Sequence, residues 1–151
     1  MAPVYLELKK RNVNTLLLHT GQHSEIADML YELFGMQPDY RINLRRNIKI
    51  DENGPKASDL ASLGGKLLIE CSKILSEVNP YAVMVHGDTS SALMMALAAY
   101  YHQCKIVHIE AGLRTGNLYS PWPEEANRTL TGVLTKKHHF GLQSIKTIII
   151  I

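Results

Sequence analysis

The sequence has little cysteine and almost no net charge. Cys71 and Cys104 are its two cysteines, far apart and matching no metal or dithiol spacing. Both stand in leucine- or alanine-rich surroundings, which fits buried free thiols in a reducing cytosol. A formal net charge of +2 is too small to indicate a nucleic-acid or anionic-membrane partner. Arginines do gather in "YRINLRRNIK", residues 40–49, where a solvated loop is favoured over a phosphate contact. The opening "MAPVYLELKK" lacks the apolar core and cleavage site of a signal peptide. No apolar run approaches the ~18 residues of a membrane span. H-E-x-x-H, the Walker lysine loop and G-x-G-x-x-G are absent, so the sequence supports neither P-loop nor nicotinamide chemistry. The triplet "HIE" at 108–110 would fit the opening of a zinc deaminase signature. That signature needs a later Pro-Cys-x-x-Cys, and no cysteine follows Cys104. A metal site is not expected.

What is present is an alternation of apolar runs and amphipathic segments. Residues 2–12 read as a helix with Leu6 and Leu8 inside and Lys9, Lys10 and Arg11 in its last turn. "NTLLLHT", 14–20, reads as a buried parallel strand. A helix follows, capped by Ser24 and stopped by Gly35, with apolar Ile26, Met29, Leu30, Leu33 and Phe34 at helical spacing. Residues 36–57 read as loop, and 59–78 as a long helix ended by Asn-Pro. "YAVMVHGD" is a second strand, and "SSALMMALAAYYHQ" an alanine-rich, buried helix. "CKIVHI" is a third strand. Pro121 and Pro123 introduce a helix from about Glu124 to Thr135, and "KHHFGL" resembles the start of a fourth strand. This order predicts one α/β domain over residues 1–151, a parallel sheet with helices on both faces.

Ligands of such sheets bind beyond the carboxyl ends of the strands. That rule selects "HGDTSS", 86–91, and the stretch opened by "HIEAGLRTG", 108–116, and it sets Asp88 and Glu110 at one crevice. Plainer readings exist for each residue. Asp88 could cap the helix near Ser90. Glu110, after a run expected to be buried, could pair with Arg114, and Glu124 with Arg128 at i,i+4. His86 and His108, near strand ends, could be hydrogen-bonded rim residues. The carboxylates nevertheless suit proton transfer on an anionic ligand.

"HGDT", "HIEAGLRTG" and "PWPEEANR", with "TGQH" and "PDYRINL" upstream, closely resemble the non-hydrolysing UDP-N-acetylglucosamine 2-epimerases over residues 1 to about 140. The resemblance implies a three-layer Rossmann-like domain, the amino-terminal half of a two-domain GT-B-type architecture. It implies interconversion of UDP-N-acetylglucosamine and UDP-N-acetylmannosamine by elimination and re-addition of UDP, without cofactor, in the cytoplasm, for cell-surface polysaccharide synthesis. The family's catalytic acids match Asp88, Glu110 and Glu124. His86, Arg114 and Arg128 match substrate-binding or orienting positions. Gln22 and Glu25 align with a segment that binds a second UDP-sugar as activator in bacterial relatives. A UDP-sugar substrate and a homodimer are the implied partners, with no nucleic acid or membrane.

Two departures qualify the match. Relatives begin with a central strand and an arginine-bearing phosphate loop, whereas this chain begins at the "MAP" that follows them. Beyond "HHF", the tail 141–151 diverges, and the relatives' carboxyl domain does not follow. The expectation is an epimerase fragment inactive alone, lacking the first central strand, with unpaired neighbours and an aggregation-prone isoleucine tail. The alternatives are a non-catalytic remnant that binds a full-length epimerase, or a hydrolysing epimerase or GT-B glycosyltransferase relative.

Overall fold

The computed structural model describes residues 1–21, 24–44, 50–51, 54–55, 57–135 and 147–151. The elements run α1 (Ala2–Lys10), β1 (Thr15–His19), α2 (Ser24–Leu33), β2 (Tyr40–Arg41), β3 (Ile50–Asp51), β4 (Gly54–Pro55), α3 (Ala57–Val78), β5 (Ala82–His86), α4 (Ser90–Tyr101), β6 (Lys105–Ile109), α5 (Glu124–Thr135) and β7 (Ile148–Ile150). Five strands form a parallel sheet in the order β2-β1-β7-β5-β6, and β3 and β4 pair separately as an antiparallel couple. The alternating strands and helices thus give the expected α/β sheet. The proposed strand start at 137–142 lies outside the described residues.

The centre of the sheet, expected to lack its strand, is not vacant. The isoleucine tail occupies it. Ile148, Ile149 and Ile150 pair with Thr15, Leu16 and Leu17 on one side and with Ala82, Val83 and Met84 on the other. The expectation of unpaired neighbours is therefore corrected. Four apolar isoleucines carry high β-propensity and no competing charge, so a fully buried parallel slot suits them.

Alternation along the strands divides the core into two. Leu17, Ala82, Ile148 and Ile150 meet Tyr5 and Leu8 of α1 and Tyr31 of α2 on one face. Leu18, Val83, Val85, Ile106 and Ile149 meet Leu63, Leu67, Leu75, Met95 and the alanines of α3 and α4 on the other. The alanine-rich α4 is buried as expected, because small side chains let it press against both the sheet and α3. Cys71 and Cys104 are free and buried, and burial pushes their thiols up to about 12 and about 11, so they stay protonated at neutral pH. Among the described residues no helix is long and apolar enough to cross a membrane.

One inward assignment fails. Leu6 of α1 is exposed while Tyr5 is buried, since residues 5 and 8 share a helical face and residue 6 does not. In α2, Ile26, Met29, Leu30, Leu33 and Phe34 are all exposed, and Tyr31 carries the contact with the sheet. Helical spacing identifies an apolar face but not what covers it. Gly35, past the helix end at φ +61°, does act as its stop. The side chain of Ser24 lies outside the described residues.

Removing side-chain volume from the central strand should be costly. Ile149 is fully buried, so Ile149→Ala is expected to lower the unfolding free energy by roughly 2–5 kcal/mol. Urea denaturation followed by circular dichroism measures it, and a loss below 1 kcal/mol would place Ile149 outside the core. His19 supplies a pH-dependent term. Its Nδ1 lies 3.1 Å from the Tyr31 hydroxyl, and burial, reinforced by the charge of Arg41 and opposed by Asp28, lowers its pKa below 6.5. The unfolded chain then binds the His19 proton first as pH falls. The stability from neutral His19 is complete above about pH 6.5, declines below it, and levels off beneath the lowered folded value. His19→Gln should flatten that slope in urea midpoints taken between pH 5 and 8. An unchanged slope would assign it to other groups.

Candidate active site

The carboxyl ends of β5 and β6 lie side by side because the strands pair in register, with His86 opposite Ile109. At the end of β5 the chain turns through Gly87 at φ +72°, a conformation glycine adopts freely, and presents Asp88. The Gly87 amide donates to the Ile109 carbonyl at 3.0 Å, which ties the two strand ends together. At the end of β6 the turn falls on Glu110, a non-glycine residue at φ +61°, and its surroundings must hold it in that sparsely populated region. His108 lies 2.6 Å through Nε2 from the Gly87 carbonyl oxygen, so Nε2 carries the proton.

Glu110 is exposed, not buried as its apolar prefix suggested, because the turn swings it off the sheet. Its partner is His86, whose Nε2 stands 2.8 Å from Oε2. Arg114 does not pair with it. That guanidinium is exposed and donates through Nη1 to the Ala111 and Leu113 carbonyls, both at 2.6 Å, so it braces its own loop. Nor does Asp88 cap α4. Thr89 is the N-cap, accepting from the Ala92 amide at 3.2 Å, which leaves the Asp88 carboxylate for other partners.

Those partners come from α5. Pro121 and Pro123 stand just ahead of this helix, and their carbonyls accept the amides of Glu125 and Asn127 at 3.1 and 3.0 Å. Glu124 opens the helix, half-buried, and its carboxylate makes no hydrogen bond or ion pair among the described residues. Arg128 pairs with Glu125 at 2.9 Å, not with Glu124. Its other terminal nitrogen donates to Asp88, and Nη1 also reaches the Leu113 carbonyl at 2.9 Å. The Asp88 bond, with the negative charges of Asp88, Glu125 and Glu110, raises the Arg128 pKa against the opposing effect of burial. Asn127 adds a hydrogen bond to the Asp88 carbonyl at 2.9 Å.

Sequence reasoning missed Glu125 and Asn127. The signal available was the helical phase: a buried Arg128 needs an anion on its own face, and position 125 shares that face as well as position 124 does. A cavity of about 310 Å³ lies at the ends of β1, β7 and β5, lined by Met1, His19, Thr20, His86, Thr89 and Ile151 among others. His86 thus joins the cavity to Glu110. Gln22 and the side chain of Glu25 lie outside the described residues. The arginine-rich segment is described only in part, and there Arg41 pairs with Asp28 at 2.8 Å. Among the described residues no His, Cys, Asp and Glu group could hold a metal.

A family model for UDP-N-acetylglucosamine 2-epimerase matches residues 6–147. The UDP-N-acetylglucosamine 2-epimerase of Campylobacter jejuni is 42% identical over 139 residues, covering 91% of this chain and 34% of that protein. Its counterpart from Neisseria meningitidis is also 42% identical, covering 91% of this chain and 35% of its own length. A crystal structure of the N. meningitidis epimerase bound to UDP-GlcNAc superposes with a TM-score of 0.80 at 41% identity, over 91% of this chain and 36% of that one. The Methanocaldococcus jannaschii epimerase in complex with UDP-GlcNAc and UDP superposes with a TM-score of 0.73 at 31% identity, over 89% and 34%. The chain therefore spans about a third of the length of the relatives it matches. Fold and sequence agree, and the chain belongs to the UDP-N-acetylglucosamine 2-epimerase family.

Proposed function

We propose that this chain forms the carboxylate-bearing wall of a non-hydrolysing UDP-N-acetylglucosamine 2-epimerase that works in the cytoplasm as a homodimer. The observation that carries the reading is the pair of adjacent strand ends, which present Asp88 against Arg128 and Glu110 against His86. The reaction this suits removes the C2 proton of the sugar and expels UDP from C1, leaving a glycal. UDP then adds back at C1 while a proton is delivered to the opposite face of C2. Two placed carboxylates suit a step that takes a proton from one face and returns it to the other. Asp88 and Glu110 are the residues assigned to those transfers, with Glu124 assisting or positioning. His86 and Arg128 hold the carboxylates, Arg114 shapes the loop, and Gln22 and Glu25 are assigned to an effector UDP-sugar.

Positioning of the sugar against such groups can supply roughly 7–11 kcal/mol of a barrier, and it requires both walls of a cleft. This chain supplies one. Purified chain incubated with UDP-N-acetylglucosamine in deuterated water is expected to give no mannosamine epimer and no deuterium at C2 by proton NMR. Added carboxyl-half protein of a relative, together with that relative's phosphate loop, should start both. In that assembly Asp88→Asn should slow exchange by 10²–10⁴-fold, the range usual for general acid–base groups. Full turnover by the chain alone would contradict the two-wall requirement, and an unimpaired Asp88→Asn would remove Asp88 from the chemistry.

The uncovered face of α2 favours a second reading, in which the chain binds a full-length epimerase subunit without catalysing. Sedimentation of the two mixed proteins distinguishes it, since a complex without turnover is then expected.

A further inference from the structure

Glu125 is more deeply buried than Asp88, Glu110 or Glu124, with 1% of its surface exposed. A carboxylate at that depth is costly unless every strong acceptor is used. Glu125 uses both oxygens. Oε2 accepts Nη1 of Arg128 at 2.9 Å, and Oε1 accepts the Gly116 amide at 3.2 Å. Arg128, 3% exposed, also donates Nη1 to the Leu113 carbonyl and Nη2 to Asp88. A guanidinium is planar and its donors form a rigid fork, so fixing one edge sets the direction of the other. Two acceptors hold the Nη1 side, and the Nη2 side is thereby aimed at the turn after β5.

We propose that Glu125 is a positioning residue for Asp88, acting through Arg128. It orients the guanidinium that in turn holds the Asp88 carboxylate in one rotamer at the mouth of the crevice. Glu125 itself is covered by the 113–116 loop and touches no substrate. The proposal rests on the reading that Asp88 transfers a proton, since only then does its rotamer matter for turnover. Asp88 pairs with Arg128, whose other charged neighbours are Glu125 from α5 and Glu110 at the end of β6. Of these, Glu125 is the one that grips Arg128 from the side opposite Asp88.

The plainer role for Glu125 is to anchor the loop through Gly116. Glu125→Gln separates the two, because glutamine still offers an oxygen to the Gly116 amide but loses the charge facing Arg128. NMR of the isotope-labelled chain at constant neutral pH reads both ends of the relay. In the parent, Arg128 should show two resolved, slowly rotating Nη groups, and Asp88 the couplings of a single χ1 rotamer. In Glu125→Gln the Nη signals should collapse to an average and the Asp88 couplings should become rotamer-averaged, with the Gly116 amide little moved. A folded Glu125→Gln chain with unchanged Arg128 and Asp88 signals overturns the proposal and leaves Glu125 a loop anchor. If Glu125→Gln does not fold, the parent decides. A freely rotating Arg128 guanidinium at low temperature overturns the relay. Resolved Nη groups, of which Asp88→Asn perturbs Nη2 and spares Nη1, support it. The catalytic reading fails separately: if Asp88→Asn leaves C2 exchange intact in the completed enzyme, Asp88 is not the base, whatever the relay shows.

Discussion

Two strands buried on both faces, β1 and β5, each need a partner along their inner edges, and one three-residue strand serves both. Without β7, the backbone donors and acceptors of β1 and β5 would face each other across a gap too wide for direct bonding. Water in that gap would sit between two apolar layers. The same strand joins the layers, because Ile148 and Ile150 project toward α1 while Ile149 projects toward α3 and α4. The spacing of β1 from β5 follows from it, and so does the cavity at their carboxyl ends, which Ile151 helps to line.

At those ends the organisation changes from apolar to ionic. One buried cation, Arg128, gathers the turn after β5, the loop after β6 and its own helix. A buried ion pair adds little net stability, since desolvation offsets most of its Coulomb attraction. What the arrangement does provide is direction: each acceptor around the guanidinium occupies one fixed angle. Glu110 and His86 form a second, more exposed pair beside it, in contact with solvent and the cavity. The site thus sets a part-buried, clamped carboxylate next to an exposed one.

The sheet was legible because its strands are short apolar runs closed by polar turns, and its helices carry caps, stops and helical spacing. The proximity of Asp88 and Glu110 was legible from the strand-end rule alone. Three things were not. Apolar spacing marks Ile26, Met29, Leu30, Leu33 and Phe34 as one face of α2 but carries no information on what lies opposite, and that face is exposed. Helical spacing offered Arg128 two glutamates, and the choice of Glu125 over Glu124 depends on which side of α5 meets the loop. Propensity alone marks the isoleucine tail as aggregation-prone, and a strand's pairing partners are set by topology at long range, which local pattern does not encode.

The side chain of Asn14 donates to that of Thr147, 133 positions along the chain, just where β7 enters the sheet beside β1. Closing a loop of that length costs about 4 kcal/mol of chain entropy before any contact repays it. A chain growing from its amino terminus can form α1, β1 and the α3–α4 pair early. It cannot complete the sheet until residues 147–151 are free to pair. Until then the half-built sheet has an open seam at its middle, the place where most sheets of this kind are already closed, and during synthesis that seam is where a stray strand would find a partner.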